Sequence, residues 1–388
     1  MADQVRPFRS STTEQQLADL TDRLARTRLA RELSGTDWTH GTPPAYLDEL
    51  VTYWRTEFDW PAAERGLNEL PQFLADVDGD TLHFVHTKGT GPAPFPLLFT
   101  HGWPGSFWEV HKIIGPLTDP AAHGGDPADA FDLVAPSLPG YAFSPHPGRP
   151  GITPQAIGAM FNRLMVDVLG YPRYGAQGGD WGAAVTTSLG RDHGANVAGI
   201  HLNMAAGAPV IDENSAPLTE AEQEFRQRRA RWSAEGGGYS HIQGTRPGTL
   251  GAALADSPAG LAAWIVEKFR AWSDCDGDVE SVFSKDHLLT NITLYWLTNT
   301  AATSARLYYE TQHATGTFAQ PGYVPTPTGF AAFPKEIAVA PREWLQRSYN
   351  LVRFTEFERG GHFAALEQPT ALVEDIREFF RPLRADLR

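Results

Sequence analysis

Along the first eighty residues the apolar side chains fall at helical spacing. Leu17, Leu20 and Leu24 share one face, and Ser11 and Glu14 precede them at the separation of a capping box. A second stripe, Leu47, Leu50 and Trp54, follows Thr42, a capping residue, and Pro43, which costs nothing in a first helical turn. Residues 1–80 are therefore expected to form a helical region packed on the body of the protein, because Trp54, Phe58 and Trp60 need cover. From Thr81 the texture changes. Short apolar or alternating runs (TLHFVH, PFPLLFTHG, FDLVAPSLPG, RYGAQGGD, VAGIHLN) are separated by stretches long enough for helices, the rhythm of βαβ units and a mostly parallel sheet. The rhythm halts after Asn203, where a helix-rich segment dense in Trp, Tyr and Arg begins, and resumes with FAAFPKEIAV and LVRFTEFE. The pattern predicts an α/β core over residues 81–204 and 311–388, with a helical lid over 205–310 above the carboxyl ends of the strands, where such sheets bind ligands. Gly236 to Gly238 and Pro321 to Gly329 read as Gly/Pro loops.

Composition narrows the function. Of 388 residues, 41% are hydrophobic and 20% charged, which suits a globular protein with a large core and argues against disorder. A net charge of −14 with no Lys/Arg stripe makes nucleic acid a poor partner. The N-terminal stretch lacks an apolar signal core, and no apolar run approaches the roughly 18 residues of a membrane span, so a cytoplasmic, membrane-free protein is expected. A single cysteine, Cys275, excludes an intramolecular disulfide and a cysteine-based zinc cage, and no chemical role is assigned to it.

Three short motifs carry chemistry. GGDWG, Gly178 to Gly182, follows the apolar RYGAQ and precedes a helix-compatible run, the strand, sharp turn and helix of a nucleophile elbow. Its nucleophile position holds Asp180. A carboxylate there displaces at a saturated carbon and leaves an alkyl ester on the enzyme, whereas serine would serve acyl transfer. HGWPGS, His101 to Ser106, follows the strand PFPLLFT; by itself it is an ordinary Pro/Gly turn, but paired with an elbow it supplies an oxyanion hole from the amides of Trp103 and Trp181. RGGHF places His362 after the last apolar strand. A lone histidine among 13 carries little weight, but nucleophile, acid and histidine run in that order in this fold. The acid is assigned to Glu336, 26 residues earlier, which would orient the imidazole; Glu356 and Glu358 lie within or beside the final strand and reach back poorly.

Taken together, HGWPGS, GGDWG, FPKE and RGGHFAALEQP resemble the microsomal-type epoxide hydrolases. The resemblance extends through YWRTEFDW, GGYSHIQGTRP and TNITLYWLTNTAATSARLYYE, so it spans nearly the whole chain. It implies the α/β-hydrolase fold, a mostly parallel doubly wound sheet with a helical lid insertion and a helical N-terminal extension. It also implies that two lid tyrosines, Tyr239 and Tyr308, hydrogen-bond the epoxide oxygen, with Tyr309 the rival to Tyr308. An alkoxide is a poor leaving group, so a proton donor opposite the aspartate is needed on chemical grounds as well. The membrane anchor of the membrane-bound relatives has no counterpart before the region of resemblance, which points to the soluble bacterial members.

The expected activity is hydrolysis of an epoxide to a vicinal diol without metal or organic cofactor. Abundant Trp, Phe and Tyr favour a bulky, aromatic, apolar epoxide. Ala, Arg, Gly and Pro usage suggests a high-GC source and a natural-product setting such as enediyne antibiotic biosynthesis. A symmetric homodimer is the default assembly. The alternatives are a haloalkane dehalogenase-like hydrolase, which shares the ester-forming step but needs halide donors in place of two phenols, and a catalytically inactive relative that only binds an apolar ligand.

Overall fold

The computed structural model describes residues 5–30, 37–206, 209–315 and 322–387. Among them lies a nine-stranded sheet: β1 (Val5–Phe8), β2 (Gln72–Val77), β3 (Asp80–Thr87), β4 (Phe95–Thr100), β5 (Phe131–Pro136), β6 (Tyr174–Gly178), β7 (Val197–Leu202), β8 (Val324–Ala332) and β9 (Tyr349–Glu356). Their spatial order is β1-β2-β3-β5-β4-β6-β7-β8-β9. The β1, β2 and β3 neighbours pair antiparallel, as do β3 and β5, and every later pair is parallel. The central strands are buried on both faces, as continuous apolar runs such as PFPLLFT require. This is the α/β-hydrolase fold, and its winding reverses on either side of β4. Loops leaving the carboxyl ends of β4 and β6 therefore face one crevice, where an open α/β sheet binds its ligand.

The region 1–80 is not wholly helical. Its helices span Glu14–Ala25, Pro44–Thr56 and Trp60–Leu67, but β1 and β2 lie in the same stretch and extend the sheet. The capping box sits two residues later than the sequence reading placed it: Thr13 accepts from the amide of Gln16, whose side chain answers the Thr13 amide. Ser10 and Thr12 are instead tied to Glu64. Thr42 does not cap the second helix either; its hydroxyl donates to the Ala263 carbonyl at 2.8 Å and Pro43 occupies the cap. Several bonds of this region run to the lid: Arg23 to Asp256 at 2.7 Å, Tyr53 to Asp286 at 2.9 Å and Lys285 to Glu49 at 2.8 Å.

Between β7 and β8 the lid runs through helices Glu220–Glu235, Gly238–Thr245, Pro247–Asp256, Pro258–Trp272, Lys285–Leu297 and Ala301–Thr315. The supposed Gly/Pro loop before Phe330 is a strand from Val324 onward, while Pro321 lies outside the described residues. Pro325 and Pro327 are tolerated because β7 reaches only Thr328 to Phe330, and register shifts beside them spare the amides that proline lacks. The strand ends at Ala332, so Phe333 to Ile337 form a loop at its carboxyl end. Among the described residues no single helix is long and apolar enough to cross a membrane.

Candidate active site

The turn from β6 into helix Asp180–Asp192 sets Asp180 at φ 49°, a left-handed conformation that an L-residue keeps only when its surroundings enforce it. Neighbouring atoms come so close that side chains are barred. A Cβ on Gly182 would stand 1.9 Å from the Thr100 carbonyl oxygen, and one on Gly102 would stand 2.3 Å from the Asp180 Cβ. Those two glycines let the loops after β4 and β6 meet.

Asp180 divides its two carboxylate oxygens. Oδ1 accepts the Trp103 amide at 2.8 Å. Oδ2 stands 3.4 Å from His362 Nε2. The Trp181 amide belongs to the first turn of the elbow helix, where an N–H has no carbonyl of its own helix to bond. On its far side His362 meets Glu336: Nδ1 to Oε1 is 2.8 Å, and the same oxygen accepts the Ile337 amide at 2.7 Å. A parallel bridge between Lys335 and Gly361 binds the two loops that present this pair. All three side chains are buried. Burial works to lower the imidazole pKa, but the charge of Glu336, the hydrogen bonds to Asp180 and Glu336, and the charge of Asp180 outweigh it and raise it well above its ordinary value. His362, set between Asp180 and Glu336, thus holds its proton more tightly than a free imidazole does. Glu356 is the last residue of β9, and the structure brings Glu336 to the histidine instead.

Tyr239 and Tyr308 reach the same place from separate lid helices. Their rings lie 5.9 Å apart at 80°. Trp103 supports both: its indole stacks on Tyr239 at 5.0 Å and 9°, and meets Tyr308 edge-on at 5.9 Å and 89°. Trp181 packs edge-on against Tyr308 at 4.7 Å. Burial, then the charge of Asp180, drives the Tyr239 pKa well above its usual value, with a hydrogen bond from Tyr308 opposing. Burial, then Tyr239 and Asp180, does the same to Tyr308. Both therefore keep their protons at neutral pH and can serve as donors. Tyr309, the rival, is 36% exposed and stacks on His313 outside the site.

Three participants escaped the sequence reading. Trp272, which ends helix Pro258–Trp272, touches Tyr239, Trp103 and His362 with its ring, and its carbonyl accepts the His362 amide at 2.9 Å. Asn203 follows β7, is buried, and holds Gln177 at 3.0 Å beside the elbow. Glu109, just past HGWPGS, shares a cavity with Asp180 and His362. No motif spacing marks them. His101 is structural: burial pulls its pKa down to about 4, and the neutral ring donates to the Gly102 carbonyl and accepts the Leu138 amide. Among the described residues no group of three or more His, Cys, Asp or Glu is placed to hold a metal.

An elbow aspartate, a histidine with its acid and a lidded α/β sheet define a hydrolase site with a carboxylate at the nucleophile position. Residues 5–110 match the epoxide hydrolase N terminus family, and residues 96–240 match the alpha/beta hydrolase fold family. A Stigmatella aurantiaca protein is 45% identical over 98% of this chain and 86% of its own length. Epoxide hydrolase 1 of Oryctolagus cuniculus is 39% identical over 97% of this chain and 88% of its own. The solved Aspergillus niger epoxide hydrolase superposes with a TM-score of 0.85 at 33% identity, covering 97% of this chain and 96% of that one. The chain belongs to the epoxide hydrolase family and is an enzyme of that activity.

Proposed function

We propose that the enzyme converts an epoxide to a vicinal diol through an ester on Asp180, and that its substrate is a bulky, apolar, aromatic epoxide. The observation that carries the mechanism is the division of the Asp180 carboxylate: one oxygen bonded to the Trp103 amide, the other facing His362. Oδ2 attacks a ring carbon from behind, the C–O bond breaks, and Tyr239 or Tyr308 gives its proton to the leaving oxygen. Such proton donation contributes about 10²- to 10⁴-fold. Ester formation removes the charge of Asp180, one of the interactions that keep His362 protonated. The imidazolium then sheds its proton, which restores the phenol by way of solvent.

Neutral His362, held by Glu336, takes a proton from water, and the hydroxide adds to the ester carbonyl. The oxyanion forms on Oδ1, already against the Trp103 amide, with the Trp181 amide as second donor; one such donor is worth about 3 kcal/mol. Collapse expels the diol oxygen, which takes the proton from His362, and the new Asp180 carboxylic acid returns its own proton to the histidine. The cycle closes with one water consumed. The wall of Trp103, Trp181, Trp272 and the two tyrosines supports the aromatic substrate class. An aryl epoxide of an enediyne antibiotic precursor is one chemistry it would suit.

A single turnover of styrene oxide in ¹⁸O-labelled water tests the route. Label in the Asp180 peptide with unlabelled diol is expected, and His362→Gln should accumulate the ester. Label passing directly into the diol, with none in the peptide, would overturn the reading.

A further inference from the structure

Asp180 and His362 border a cavity of about 20 Å³, room for one water molecule. Neither lid tyrosine lines it. Its polar walls are Asp180, His362, Asn203, Glu109 and Thr100; Phe363 and Leu372 are among its apolar ones. Glu109 is partly exposed as a residue, but its carboxyl turns inward over the bare backbone of Gly105, where a Cβ would stand 1.7 Å from Oε1. The Gly102 amide, one residue before the oxyanion donor Trp103, favours the ionised form of this carboxyl. The ester mechanism uses none of these contacts.

We propose that Glu109 is a positioning residue for the second half-reaction: its carboxyl holds the attacking water in this cavity, between His362 and the carbonyl carbon of the Asp180 ester. The inference rests on the ester reading above. A water there needs two to four polar partners, and these walls provide them. Burial, with the charge of Asp180 added and the charge of His362 and the Gly102 amide opposing, pushes the Glu109 pKa up to about 8. At neutral pH the group is a carboxylic acid, able to donate to a water as well as accept from it.

The titratable groups acting on it are His362 after β9, Asp180 at the elbow, and Tyr295 on helix Lys285–Leu297, whose hydroxyl donates to the Gly105 carbonyl. Its neighbours in the chain are engaged elsewhere, His111 with the Trp108 carbonyl and Lys112 with the Leu366 carbonyl. Ionisation above pH 8 would set a second negative charge beside the oxyanion that water attack creates, so hydrolysis should slow there.

The test is rapid-quench kinetics with styrene oxide, which separates ester formation from ester hydrolysis in Glu109→Ala, Glu109→Gln and the unaltered enzyme. Glu109→Ala should slow hydrolysis about ten-fold or more with ester formation unchanged. Glu109→Gln should keep most of the hydrolysis rate and lose its decline above pH 8, and this variant decides the matter if the alanine form does not fold. Equal loss in both steps would make Glu109 a mere prop for the Gly102 loop and overturn the proposal. So would unchanged hydrolysis in Glu109→Ala, or a pH 8 decline that persists in Glu109→Gln. An unaltered enzyme that forms no ester would instead refute the ester route, a result distinct from any of these.

Discussion

At Asp180 a left-handed backbone costs an L-residue about 1–2 kcal/mol, and the return is a carboxylate held out at the end of β6 with one oxygen already against an amide. The tyrosines show the same economy of placement. Tyr308 and Tyr309 are adjacent in the chain but about 100° apart around a helix, so one faces the crevice and the other solvent. Tyr308→Phe should therefore slow ester formation about a hundred-fold, while Tyr309→Phe leaves it nearly unchanged, as stopped-flow or quench measurements would show. A halide-releasing enzyme would tolerate both changes, because halide leaves without a proton. Asp180, His362 and Trp103 were legible because each closes a strand with a distinctive short motif. Glu336 was legible by elimination within one loop. Glu109, Asn203 and Trp272 were not: each reaches the site through tertiary packing from an element whose own sequence is ordinary, and no spacing records such proximity.

At the scale of elements, the lid is fastened at several points. Glu222, fully enclosed on the first lid helix, receives Arg347 from helix Arg342–Ser348 through Nε at 2.5 Å and Nη2 at 2.9 Å. Arg347 also bonds the Ala216 and Pro217 carbonyls at 3.0 Å each. The pair is partly buried, and hydrogen bonds between charged groups of this kind are worth about 1.5–3 kcal/mol, so Glu222→Gln should cost about that much. Urea denaturation would check this, and an unchanged midpoint would mean that the lid helix is not coupled to folding of the core. The periodicities found the lid and most strands, but placed edges imperfectly. Pro325 and Pro327 disguised the start of β8, because a strand paired on one side there can spare their missing amides. The short β1 has too few residues for a period to show.

Across the whole molecule, buried titratable groups oppose one another in pH. Burial holds His83 and His287 near pKa 3 and His86 and His101 near 4, so their stabilisation is present above about pH 6.5, the unfolded value, and is lost as pH falls toward 4. Burial raises Glu109 to about 8 and Glu367 to about 7; their contribution is present below the unfolded value and is lost as pH rises through 7 and 8. His362, also raised, acts in the same sense as these glutamates. Stability should peak between about pH 6 and 7, seen as a maximum in denaturation midpoint; a midpoint that keeps rising to pH 9 would contradict these assignments. The fastening of the N-terminal helices to the lid has a consequence for inheritance and for engineering. Arg23, Glu49 and Tyr53 hold lid residues that lie more than two hundred positions away in the chain. A recombinant that takes the segment between β7 and β8 from one relative and everything before β2 from another would inherit mismatched halves of one fitted surface. Crossover libraries built to alter substrate choice should draw both segments from the same parent.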